Sequence, residues 1–162
     1  MAIPSSEAKT FWHFIVSSVK RILECLDGLS EEDLNWRPLE SANSLYALAT
    51  HTMGNVEENL LGVLCGQAVN RQREAEFTIR GHSLKHLLSE WGELQKRIDS
   101  ALDQLSVTEL DQLRNHPRRG QLTGREVMII VARHAAEHMG HAQLTRDLLF
   151  AARGKILPPR DY

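Results

Sequence analysis

Residues 123–153 read TGREVMIIVARHAAEHMGHAQLTRDLLFAAR, and this run decides the fold class. It opens on Thr123 with Glu126 three residues later, a T-x-x-E capping box, and it stops before Gly154. Apolar residues recur in between at steps of three and four, so the spacing predicts one long amphipathic helix to about Arg153. His134, His138 and His141 share one register of that helix with Val127, Val131 and Leu148. The stripe is expected to face a core. Imidazoles on an apolar seam are costly unless something satisfies them, and a metal ion satisfies several at once.

Outward from this segment, the same periodicity predicts three more helices. The first covers about Ser6 to Leu26, with Phe11, Phe14, Ile15, Val19, Ile22 and Leu26 as its stripe and Gly28 as its stop. Ser30 with Asp33 opens a short turn, and Pro38 breaks the chain. The second starts near Asn43 or Ser44 and ends at Cys65-Gly66, burying Leu45, Leu48, Ala49, Thr52, Val56, Leu60, Val63 and Leu64. The third runs from Ser83 to about Leu105, with Leu84, Leu87, Leu88, Trp91, Leu94, Ile98 and Leu102 inward. Residues 67–82 are polar and mixed, with EFTIR at 76–80 a short strand at best. Residues 106–122 read as irregular, and the tail KILPPRDY as extended. Four amphipathic helices imply an all-α four-helix bundle, one domain over residues 1–162, in which sites form from facing helices.

Composition narrows the function. The 162 residues carry a net charge of -2, and no basic stripe or groove-reading helix suggests nucleic acid. No apolar run approaches the roughly 20 residues of a membrane span, and the N-terminus lacks the pattern of a secretory signal, which points to the cytoplasm. Cys25 and Cys65 are far apart and read as buried thiols in a reducing compartment.

His134 and His138 form H-x-x-x-H, a spacing that lets two rings on one helix reach one divalent ion. A third ligand must come from elsewhere, and His51 on the second helix is the best candidate, on a strip with Leu48, Asn55 and Glu58. Three histidines with an open position describe a catalytic type of site. Glu137 directly before His138 does not supply the H-E-x-x-H of a zinc protease, and the chain has no E-x-x-H of a di-iron bundle. The competing reading is ordinary: helix histidines satisfied by core hydrogen bonds. His141, Glu58 and Asn55 are candidates for pocket or ligand-supporting roles, with a solvated Glu58 equally compatible. Glu137 is expected to face solvent. His13, His82, His86 and His116 read as surface or cap residues, and Trp12, Trp36 and Trp91 as packing. Arg118-Arg119 in NHPRRGQL reads either as a solvated turn or as an anion contact.

The stretch LDGLSEEDLNWRPLESANSLYALATHTMGNVEENL at 26–60, with EHMGHAQLTRDLL at 137–149, resembles the DinB/YfiT-like superfamily of metalloenzymes. The resemblance spans essentially the whole chain. Carried over by position, it implies metal ligands at His51, His134 and His138. His141 stands where many members carry Gln, and a related branch carries Glu where this chain has His134. The resemblance further implies a divalent metal (zinc, nickel, iron or manganese), homodimerisation, and chemistry that uses a low-molecular-weight thiol, including transfer of the thiol to small electrophiles and a thiol-dependent isomerisation. The rival expectation is a non-catalytic, dimeric helical protein that binds metal structurally or serves as an interaction module.

Overall fold

Ser5, Ser44 and Thr123 each accept a hydrogen bond from the backbone N–H three residues ahead, and each begins a long helix. In a computed structural model, which describes residues 5–156, these helices are α1 (Ser6–Glu24), α3 (Leu45–Val56) and α7 (Gly124–Ala152). The Thr123–Glu126 capping box is formed in both directions, as its sequence predicts. A fourth long helix, α5 (Leu84–Leu102), begins after Ser83, whose side chain makes no cap bond. The single turn α2 (Glu31–Leu34) is capped by Ser30.

The second predicted helix is two helices in one. After Val56 the chain continues without a break as a π-helix over Glu57–Leu64, closed at Gly66 with φ +67°. The wider turn shifts the register beyond Val56, so the strip read through His51 and Asn55 does not continue straight to Glu58.

α7 lies along α1, α3 and the π-helical segment, while α1 also packs on α3 and α5. The interior is filled by Ile15, Ile22, Leu45, Leu60, Leu61, Leu87, Ile98, Val131 and their neighbours. Trp12 and Trp91 pack ring to ring at 5.8 Å, and the Trp12 indole N–H donates to Asp99 at 2.5 Å. Three residues assigned to apolar stripes stay outside: Phe14 is 63% exposed, Leu88 50% and Leu148 43%. On α7 the buried line runs Val127, Val131, Ala135, Ala142, Thr145, Leu149. It drifts from the histidine register after Val131, and this places the histidines at the edge of the seam rather than in its centre.

Both connections hold more structure than their composition suggests. Residues 106–122 contain a capped helix α6 (Val107–Asp111) and an antiparallel hairpin of β1 (Leu113–His116) and β2 (Gly120–Thr123). The EFTIR region forms no strand; the one-turn helix α4 (Arg73–Glu76) precedes it and ends on its first residue. Asn35 fastens the end of this loop, donating to Gly81 O at 2.7 Å and accepting from Gly81 N–H at 2.9 Å. Arg37 donates to Phe77 O at 2.7 Å. The prolines of the tail lie outside the described residues. Among the described residues, no helix is long and apolar enough to cross a membrane.

Candidate metal centre

α3 and α7 lie side by side, and this packing brings His51 to His134 and His138. His51 Nε2 is 3.2 Å from His134 Nε2, which is 3.1 Å from His138 Nε2. The candidate donor atoms of the three rings all lie within 4.8 Å of one another. His51 is 6% exposed, and the two α7 rings are half-buried.

Hydrogen bonding within the triad cannot satisfy this arrangement. A neutral ring nitrogen carries either one proton or one lone pair, so His134 Nε2 can pair with one neighbour and not both. Protonating the rings does not help. Burial, then the charge of the neighbouring histidines, pushes the His134 pKa down to about 3 and that of His138 to about 4. His134 Nδ1 is also buried without a hydrogen-bond partner. Three imidazoles with ring nitrogens this close together make a donor set that could hold a divalent ion. Zinc at about 2.0–2.1 Å from each nitrogen needs separations close to those seen.

The remaining nitrogens face in two directions. His138 Nδ1 lies 3.4 Å from Nδ1 of the exposed His141. His51 Nδ1 lies 2.9 Å from Glu76 Oε2, and Glu76 is itself buried. Arg71 binds both Glu76 oxygens, through Nε at 2.7 Å and Nη2 at 2.8 Å, and reaches Glu58 through Nη1 at 2.8 Å. Arg118 pairs with the same Glu58 from the hairpin turn. Burial works to raise the Glu58 carboxyl, but the two arginines outweigh it and hold the pKa at about 2. The Glu76 carboxyl is likewise held below its usual range against burial, by hydrogen bonds from Arg71 and His51.

Each candidate of the sequence can now be placed. His51, His134 and His138 come together. Glu58 reaches the triad through Arg71, and the Asn55 side-chain oxygen is buried without a hydrogen-bond partner. Glu137 faces solvent beside Arg133. His116, expected at the surface, is buried beneath the hairpin turn and accepts the Arg118 N–H through Nδ1 at 3.1 Å. Arg71 and Glu76 are the residues that sequence reasoning missed. They lie 20 and 25 positions beyond His51 in a polar loop, where nothing local marks them. Gly54 on α3 was a hint, because a Cβ there would collide with Glu76. Cys25 and Cys65 form no disulfide, and burial pushes the Cys65 thiol up to about 11, which leaves it inert at neutral pH.

The fold is shared with known proteins. A conserved protein from Enterococcus faecalis superposes with a TM-score of 0.70 at 17% identity, covering 93% of this chain and 99% of its own. A DinB-like protein from Bacillus cereus also gives 0.70, at 16% identity, covering 94% and 97%. No protein of curated function is similar enough in sequence to count as a relative. The family model described as mycothiol S-transferase matches residues 10–150. The chain belongs to the mycothiol S-transferase family, within the DinB superfamily.

Proposed function

We propose that this protein is a divalent-metal-dependent transferase that joins a small thiol to a small electrophile, with His51, His134 and His138 as the metal ligands. The observation that carries the reading is the convergence of three Nε2 atoms that hydrogen bonds alone cannot satisfy. The family match supplies the thiol. Bound at the triad, a divalent cation would act as a Lewis acid, favouring the deprotonated, nucleophilic form of a thiol at neutral pH.

The chain's own side chains would do the rest. His51 anchors the site from inside the bundle, while the half-buried His134 and His138 leave the outer side of the triad within reach of solvent. His138 would orient through its Nδ1 contact with His141. Neither cysteine supplies the nucleophile, since Cys25 is buried and the Cys65 thiol is held protonated. The sulfur must therefore arrive on a small molecule. Two cysteines that form no disulfide support a cytoplasmic location; following the family resemblance, we take the protein to be a homodimer and the metal to be zinc, nickel, iron or manganese.

Elemental analysis of untagged protein, beside the His138→Ala variant, tests the centre. About one divalent ion per chain in the wild type, and its loss in the variant, is expected. Equal metal content in both counts against the assignment. Loss of mycothiol's free thiol in the presence of a chlorinated bimane then tests the reaction, and metal without thiol consumption would favour the non-catalytic role.

A further inference from the structure

Glu76 stands on a one-turn loop helix, yet the residue is 7% exposed and both of its carboxylate oxygens are engaged. Oε1 accepts from Arg71 Nε, and Oε2 accepts from Arg71 Nη2 and lies 2.9 Å from His51 Nδ1. This two-point guanidinium contact fixes the carboxylate in a plane as well as in position. Arg71 is fixed in turn, because its remaining arm is tied to Glu58 on the π-helix.

Room for this assembly comes from Gly54, one turn beyond His51 on α3. A Cβ at that position would strike Glu76 Oε1 and stand 3.1 Å from Arg71 Nε. Glycine is a poor residue for a helix interior, so its presence there calls for a reason. Here it opens a notch through which Glu76 and Arg71 settle against the His51 turn. Phe77, next in the chain, places its ring 4.7 Å from that of His51.

We propose that Glu76, clamped by Arg71 in the notch at Gly54, is the positioning residue of the metal centre, taking the Nδ1–H of His51 and so turning the Nε2 lone pair toward His134 and His138. The inference rests on the metal reading above and adds to it the group that makes His51 a competent ligand. A neutral imidazole has one N–H. Once that proton is committed to Nδ1, Nε2 presents only its lone pair, and the carboxylate makes that lone pair more basic. The loop over residues 66–83 thereby becomes part of the site, although it contributes no ligand of its own.

The test measures zinc affinity of the full-length, metal-stripped protein by competition with a chromophoric chelator, together with the visible spectrum of the cobalt form. Glu76→Ala is expected to weaken zinc binding by about 10–100-fold. Glu76→Gln, whose amide oxygen still accepts from Nδ1–H, should restore part of the loss. In a His51→Ala background, Glu76→Ala should cause no further loss, an outcome that a general folding role would not produce. Wild-type affinity and an unchanged cobalt spectrum in a folded Glu76→Ala protein would overturn the proposal while leaving the metal centre standing. If Glu76→Ala does not fold, Gly54→Ala decides the matter: it removes no functional group but fills the notch. Weakened zinc binding there supports the proposal, and unchanged affinity overturns it. A wild-type protein that takes up neither zinc nor cobalt removes the metal reading itself, and this inference with it.

Discussion

Glu58 carries two arginines on one carboxylate, one from the loop and one from the hairpin turn. Its charge is what both of them need. Because its folded pKa is depressed to about 2 from an ordinary 4.5, the carboxylate contributes stability that is fully present above 4.5. That contribution is lost as pH falls toward 2, where the folded state also takes up the proton. Glu58→Gln should therefore cost about 1–3 kcal/mol at pH 7, the price of leaving charged donors short of an acceptor. Urea titrations from pH 7 down to 2.5 should show the gap between variant and wild type closing below pH 4.5; a pH-independent gap would contradict this. What the sequence revealed at this scale was uneven. His134 and His138 were legible because their four-residue spacing is itself the geometry of a helix face. Glu58 was visible only as a carboxylate near the strip. Its partners Arg71 and Arg118 lie 13 and 60 positions further along, so their convergence is a property of the packing and not of any local pattern.

Among the elements, the long helices were readable because caps and periodicity agree with the packing. Ser44, Thr123 and Gly66 do locally what the tertiary structure requires. The connections were not readable, since short helices and a hairpin of two four-residue strands bury too little apolar surface to leave a stripe. The HPRRG turn also lacks the Asn-Gly signature of a tight hairpin, so β1 and β2 passed as coil. The π-helix was hidden for a different reason: its residues are good helix formers, and the one-residue slip is settled by neighbours in space. The loop over residues 66–83 depends most on such neighbours. Gly81 is buried against Tyr46 so closely that a Cβ would overlap the phenol ring, and its backbone is bonded twice by Asn35. Gly81→Ala is expected to destabilise the protein by about 1–3 kcal/mol through overpacking. Since the loop carries Arg71 and Glu76, the same variant should be cut faster by protease within residues 66–82 under native conditions. Cleavage unchanged in rate and position would show that the loop does not depend on this anchor.

For the molecule as a whole, the triad joins α3 to α7 through three imidazoles that could hold one cation. A hydrophobic cluster occupies most of the interior, and this edge of the seam, where three imidazoles meet it, is where solution conditions should act strongly. His134 and His138 titrate near 3 and 4 in the folded protein, against 6.5 when exposed. Between those values the unfolded chain holds more protons than the folded one, so stability rises with pH across that window and falls as acid is added. Metal-stripped protein should therefore lose stability steadily from pH 6.5 toward 4, while remaining flat from 8 to 7. Replacing both residues, as in a His134→Ala, His138→Ala variant, should flatten that slope, because two of the groups that resist protonation are gone. Zinc at about one hundred times its dissociation constant should add about 2.7 kcal/mol at pH 7.5, and less in acid, because protons compete for the same lone pairs. Urea midpoints at each pH, with and without zinc, measure both effects. A double variant whose acid slope matches the wild type would mean that the rings are not held neutral by the fold. Rings that take up protons as readily as exposed histidines would not be poised for a cation.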